Sequence, residues 1–264
     1  MSSSSIVTLR MIGGARIGFD LSSAALDHLV ARIEFAQPFV TDDEPAMHYR
    51  SGRSCGGRHV FERHDSLRAR SIEQVGTTID DLVDDLHLCI ALHSNEDVFV
   101  HAGVIVWNEM AILFPGRSRS GKSTLVHELV RAGATYLSDE YARISKTGQI
   151  APYPRPIQLR TATGRRFVDP HTLGSVAERP YPPGIVVFAR HQTGAAFDPV
   201  AVPPAQAALE LFDNSVVAEV LPIAATRAVA AVARATTAVR SNRDEAAAVG
   251  KAILRLADGM DLAS

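Results

Sequence analysis

Phe114-Pro-Gly-Arg-Ser-Arg-Ser-Gly-Lys-Ser-Thr124 is the stretch on which the reading of this chain turns. Its centre, Gly116-Arg-Ser-Arg-Ser-Gly-Lys-Ser123, matches G-x-x-x-x-G-K-[ST]. Upstream, Met110–Phe114 has the composition of a buried strand. Downstream, Leu125, Val126, Leu129 and Val130 repeat at helical spacing, and Gly133 follows where a helix would end. Strand, glycine-bounded turn and helix in that order aim a row of backbone N–H groups, and the positive end of the helix, at any anion in the turn. Gly116, Arg117, Ser118, Arg119, Ser120, Gly121, Lys122, Ser123 and Thr124 are therefore expected to hold a nucleoside triphosphate, taken to be ATP. Lys122 would reach the β- and γ-phosphates, and the Ser123 hydroxyl would enter the shell of a Mg2+ ion. Only three of the 27 basic residues are Lys, so one inside the motif is informative.

On the N-terminal side, Val98–Val106 is a second strand-like run, separated from the first by Trp107-Asn-Glu109. So short a connection fits only an antiparallel pair. On the C-terminal side, Ala134–Ser138 reads as a strand ending in Asp139-Glu140, 17 and 18 residues beyond Lys122. One crossover helix returns the chain to the same sheet, so both carboxylates are expected beside the phosphate loop, where acids hold Mg2+ or take a proton from an attacking hydroxyl. Successive strand residues point to opposite faces, so both acids reach the mouth only if the strand ends there. His101, on the strand that pairs with the one entering the loop, could point to the same place. Arg155 and Arg160 are candidates to clamp a substrate or the transferring group, with Arg165, Arg166, Arg240 and Arg243 behind them. The expected fold is α/β: a mixed sheet with an antiparallel hairpin leading into a P-loop, preceded by a small α+β region. The expected division is 1–96 and 97–264.

The order V-H-A-G-V-I-V, hairpin, L-F-P-G-R-S-R-S-G-K-S, then R-A-G-A-T-Y-L-S-D-E resembles the catalytic core of HPr kinase/phosphorylase, a fold similar to the nucleotide-binding core of phosphoenolpyruvate carboxykinase. The match covers roughly residues 97–145. The resemblance implies that His101 is an active-site histidine, Lys122 the P-loop lysine, Glu140 the proton-accepting acid, and Asp139 and Ser123 the metal-side ligands. It also implies Mg2+ and ATP as cofactors. This chain has Asp139-Glu140 where the family has Asp-Asp, and Gln158-Leu-Arg160-Thr161 where the family has Glu-x-Arg-Gly. A metal-binding Glu is thus a neutral Gln, while Arg160 keeps the family's arginine and counts among the expected catalytic residues. The pattern is that of a kinase-like relative with another substrate, similar in size and layout to HPr-kinase-like proteins of biosynthetic clusters, including those of lasso-peptide pathways that phosphorylate a precursor-peptide serine.

The remainder is ordinary globular sequence. With 46% apolar and 21% charged residues and a net charge of −2, the chain is neither disordered nor a dedicated nucleic-acid binder. No apolar run approaches the roughly 20 residues of a membrane span, and no secretory pattern opens the chain. Cys55 and Cys89 suggest neither disulfides nor zinc, so a reducing, cytoplasmic setting is expected. Helices are expected over Leu21–Ile33, around Ile79–Ile90 with Asp80, Asp81, Asp84 and Asp85 on a solvated face, and over Pro204–Phe212, Arg227–Ala235 and Asn242–Ala257. Short strands are expected at Met47–Tyr49, Val60–Glu62 and Ile185–Phe188; Pro152, Pro154 and Pro156 mark an extended stretch, and Arg160–Gly174 shows no period. Three functions compete: a kinase acting on a peptide or protein serine, a small-molecule hydroxyl kinase of the shikimate-kinase type, and a nucleotide-binding regulator without turnover. A hydroxyl-bearing acceptor is the expected partner, with peptide or protein serine favoured and homo-oligomerisation open.

Overall fold

A computed structural model of the chain describes residues 6–65, 72–116, 120–161 and 163–259. Arg117, Ser118 and Arg119 of the motif lie outside the described residues. The chain falls into two compact units, Met1–Glu96 and Asp97–Ser264.

The first unit runs β1 (Val7–Arg10), β2 (Arg16–Asp20), α1 (Ser23–Arg32), β3 (Phe39–Val40), β4 (Met47–Arg53), β5 (His59–Asp65), β6 (Ile72–Gly76) and α2 (Ile79–His93). Its strands form one sheet in the order β3-β1-β2-β4-β5-β6, parallel only between β2 and β4. The β4–β5 hairpin extends past the expected Met47–Tyr49 and Val60–Glu62, pairing as far as Arg53 with His59. Helix α1 starts where Ser22 accepts the Ala25 N–H, and α2 where Thr78 and Asp81 form a capping box. The expectation of one solvated acidic face on α2 is corrected. Asp85 accepts hydrogen bonds from the Tyr49 hydroxyl at 2.7 Å and from Arg63 at 2.5 Å. Arg63 is itself buried and also pairs with Glu73. Asp80 stays exposed, paired with Arg32. Cys89 is core, and burial with the nearby Asp85 charge pushes its thiol up to about 12.

The second unit begins with β7 (Asp97–Trp107), β8 (Met110–Pro115), α3 (Lys122–Arg131), β9 (Thr135–Ser138), β10 (Tyr141–Ser145), β11 (Ile150–Ala151), β12 (Ile157–Thr161) and β13 (Gly164–Val168). It continues with β14 (Pro183–His191), β15 (Val200–Ala201), α4 (Pro204–Asp213), α5 (Pro222–Ala235), β16 (Thr237–Arg243) and α6 (Ala246–Asp258). The main sheet runs β11-β10-β7-β8-β14-β16-β15, with β9 also on β7. β8, β14 and β16 are parallel, and β7 pairs antiparallel with β8, β9 and β10. The expected hairpin into the loop is present, turning at Asn108 and Glu109, which both have positive φ as a two-residue hairpin turn demands.

Strand alternation makes this unit three layers. Val104, Leu113 and Val186 face one way, onto Leu211 of α4 and Val229 and Val232 of α5. Ile105, Ile112 and Val187 face the other way, onto Leu125 and Leu129 of α3 and Ile253 of α6. β16 was not expected; Asn242 and Arg243 end this strand, and the last helix starts at Ala246. The start of the aperiodic Arg160–Gly174 stretch belongs to a separate two-stranded hairpin, β12–β13, which begins at Ile157. Both were obscured because their faces mix Arg, Ser and Thr with few apolar positions. Among the described residues no helix is long and apolar enough to cross a membrane.

Candidate active site

The site is organised across one short segment of β7. On one edge, the His101 carbonyl accepts the N–H of Gly116, the first glycine of the G-x-x-x-x-G-K-S motif, at 3.1 Å. On the other edge, the Ala102 N–H donates to the Glu140 carbonyl at 3.1 Å. Strand pairing therefore holds the loop and the acidic pair on opposite sides of the same two residues. Gly103, next along, lets α3 approach: a Cβ there would stand 2.6 Å from Val126 Cγ2 and 3.6 Å from Lys122 Cβ.

The two acids sit in a break between β9 and β10, so the strand does end at Ser138. The buried Ser138 hydroxyl makes the break, accepting the N–H of Glu140 at 3.3 Å and of Tyr141 at 3.1 Å. This is the side-chain-to-backbone turn that Ser favours, and a Ser ahead of two acids was the available sequence signal. Asp139 is fully enclosed. Its carboxylate accepts the Gln158 N–H at 3.2 Å, lies 3.2 Å from the Tyr136 hydroxyl, and is hydrogen-bonded by the Ser123 hydroxyl. Burial raises its pKa, against the opposing pull of Arg155. The Tyr136 hydroxyl also donates to the Arg155 carbonyl at 2.8 Å, tying the acid strand to the segment that follows.

Glu140 is more open, with 29% of its side chain exposed, and Oε1 is 3.5 Å from His101 Nδ1. Burial works to raise its pKa, but His101, Arg155 and Lys122 together outweigh it and hold the carboxyl below its ordinary value. Lys122 is 8% exposed; burial lowers its pKa while Glu140 and Asp139 pull it back up. Arg155, 7% exposed, is penalised by burial yet held firmly charged by Asp139 and Glu140. Two cations and two anions thus enclose the mouth of the loop.

His101, Lys122, Ser123, Asp139 and Glu140 are brought together as a group. Arg160 is not part of it: it lies on β12 opposite Arg165 and is exposed, while Arg155 is buried and held charged by the nearby Asp139 and Glu140. Tyr136 and the Gln158 backbone carried no sequence signal, because their contribution depends on β12 crossing beside Asp139. The Ser123 hydroxyl and Asp139 carboxylate form an all-oxygen set, which suits a hard cation such as Mg2+.

Beyond the loop, at the carboxyl ends of β8, β14 and β16, opens a cavity of about 910 Å3. Gly116, Ser120 and Thr124 line it on the loop side, and Phe188, Arg240 and Asn242 on the far side. Arg240 lies over the Phe188 ring and is paired with Glu210. Ligands of open α/β sheets bind at this edge.

The described architecture is that of a mixed α/β chain with a candidate phosphate-loop site. No protein-family model matches it, and no curated protein matches it in sequence. Among solved structures, the Hpr(Ser) kinase/phosphatase from Coxiella burnetii is similar with a TM-score of 0.35 and 13% identity, over 61% of this chain and 93% of that one.

Proposed function

We propose that this chain is a Mg-ATP-dependent kinase that transfers the γ-phosphoryl group to a hydroxyl, with a serine of a peptide or protein as the favoured acceptor. The observation that carries the reading is the buried Lys122 beside Glu140, Asp139 and Arg155 at the mouth of a G-x-x-x-x-G-K-S turn.

The loop N–H groups and Lys122 would bind the β- and γ-phosphates, and the 910 Å3 cavity bordering Thr124 has room for the nucleoside. Glu140 suits the base. It is ionised, partly open, and beside His101, whereas Asp139 is buried and already accepts the Gln158 N–H and the Ser123 hydroxyl. As the acceptor oxygen bonds to the γ-phosphorus, the bond to the bridging oxygen breaks, ADP leaves, and the hydroxyl proton passes to Glu140. Lys122 and Arg155 offset the charge on the transferring group. Ser123 and Asp139 would hold Mg2+, which supplies charge neutralisation across the phosphate oxygens when bound. His101 would orient Glu140 and the acceptor.

The antiparallel β7–β8 entry into the loop favours this reading over a small kinase of the shikimate type, whose phosphate-loop strand begins a parallel sheet. The test is mass spectrometry of serine peptides and small hydroxyl compounds after incubation with Mg-ATP, watching for one added phosphoryl group. Lys122→Ala should reduce transfer by about a hundredfold or more. ATP binding with neither acceptor phosphorylation nor ATP hydrolysis would overturn the kinase reading in favour of a regulatory one.

A further inference from the structure

Arg243 is the last residue of β16 and only 3% exposed. Among the described residues its guanidinium has no carboxylate within ion-pair distance and bonds only to backbone carbonyls. Nη1 donates to Asp244 O at 3.0 Å, Nη2 to Gly121 O at 3.1 Å, and Nη2 lies 3.5 Å from Ser120 O. Nε is buried with no partner. A buried cation with no anion in contact is costly to keep, and burial lowers its pKa against the opposing pull of the exposed Glu245.

What Arg243 touches explains its retention. Gly121 is left-handed, with φ of 83°, and a Cβ there would stand 2.5 Å from Nη2. The two carbonyls belong to the peptide planes Ser120–Gly121 and Gly121–Lys122. In a trans peptide the N–H points opposite to the C=O. Holding both carbonyls on the Arg243 side therefore turns the N–H groups of Gly121 and Lys122 away from it. The same carbonyl of Gly121 accepts the Leu125 N–H at 3.1 Å, so this peptide is also the first rung of α3.

We propose that Arg243 is the positioning residue of the phosphate loop: it braces the loop from its carbonyl side so that the Gly121 and Lys122 N–H groups face a polyphosphate chain, whose charge balances the buried guanidinium. This rests on the nucleotide-binding part of the proposed function and extends it to a residue about 120 positions away in sequence that no phosphate-loop motif contains. The polyphosphate and the guanidinium need not touch, since the charge acts through the polarised peptides between them.

The probes are Mg-ATP and inorganic tripolyphosphate, titrated calorimetrically against wild type, Arg243→Gln and Arg243→Lys. Arg243→Gln should weaken both by tenfold or more, because the effect falls on the phosphates that the two probes share. Arg243→Lys should recover part of the loss, keeping the charge but reaching fewer carbonyls. Under turnover, Arg243→Gln should raise the KM for ATP by more than it lowers kcat, and the ligand-induced rise in melting temperature should shrink. A purely structural role predicts the opposite split: a lower melting temperature without ligand, and unchanged affinity in the folded protein. Unchanged affinity in either substituted protein overturns the proposal, so a misfolded Arg243→Gln leaves Arg243→Lys to decide. Failure of the wild type to bind tripolyphosphate also overturns it. Binding of both probes by the wild type without phosphoryl transfer overturns the kinase reading but not the brace; normal transfer with unaltered Arg243→Gln does the reverse.

Discussion

Replacing Arg155 by Gln should be far more damaging than replacing Arg160, although the two lie five residues apart in one arginine-bearing stretch. Arg155 is 7% exposed and balances two acids, Asp139 and Glu140, together with Lys122. Its removal leaves two anions against one cation in a site without water access at Asp139. Breaking a buried charge pair by deleting one partner costs about 3–5 kcal/mol. The cost has a pH signature. Burial already raises the Asp139 pKa, and loss of Arg155, which opposes that shift, raises it further. An acid whose folded pKa lies above its unfolded value costs nothing below both values. The penalty grows as pH rises through the interval between them. Arg155→Gln should therefore be most destabilised at neutral and alkaline pH and should recover toward wild type as pH falls and Asp139 takes up a proton. Arg160→Gln, at an exposed strand position, should stay within about 0.5 kcal/mol of wild type at every pH. Chemical denaturation between acid and mildly alkaline pH, with phosphoryl transfer measured in parallel, reads both effects. Equal stability curves for Arg155→Gln and wild type, or an Arg160→Gln loss as large as that of Arg155→Gln, would refute the assignment of Arg155 to the centre.

Two further pairs of substitutions separate roles that sequence treats alike. Glu140→Gln should retain Mg-ATP affinity while losing roughly 10²–10⁴-fold in transfer, whereas Asp139→Asn should also weaken metal-dependent nucleotide binding; equilibrium titration beside single-turnover transfer distinguishes them, and normal transfer by Glu140→Gln would move the base to Asp139. In the first unit, Asp85→Ala leaves the buried Arg63 with Glu73 alone and removes the acceptor of the buried Tyr49 hydroxyl, which should cost about 1–3 kcal/mol, while Asp80→Ala removes an exposed pair with Arg32 worth about 1 kcal/mol at most. Urea denaturation of the two proteins measures the difference, and similar losses would show that the Tyr49–Asp85–Arg63 contacts contribute little.

Local chemistry alone determines a good deal of this protein. The motif from Gly116 to Ser123 is legible because all its residues are neighbours in sequence and its spacing is that of an anion-wrapping turn. The hairpin β7–β8 is legible because three residues allow no other connection, and α3 because its apolar positions recur at the helical period. Asp139 and Glu140 can be expected near the loop from a single crossover. Other features depend on segments far apart in sequence. Whether Arg155 or Arg160 lies near the acids is decided by where β12 begins and which of its residues turn inward, and both arginines look alike in sequence. The burial of Asp139 needs Tyr136 and the Gln158 N–H to arrive from different strands. The acids of α2 read as one solvated face because the period fixes only which side they share; β4 and β5 then bring Tyr49 and Arg63 to Asp85. Arg243 stands behind the carbonyls of Ser120 and Gly121 for the same reason. Parallel pairing of β16 with β14, and of β14 with β8, carries the end of one strand to the end of another, and only that long-range register sets a guanidinium against the carbonyls of Ser120 and Gly121.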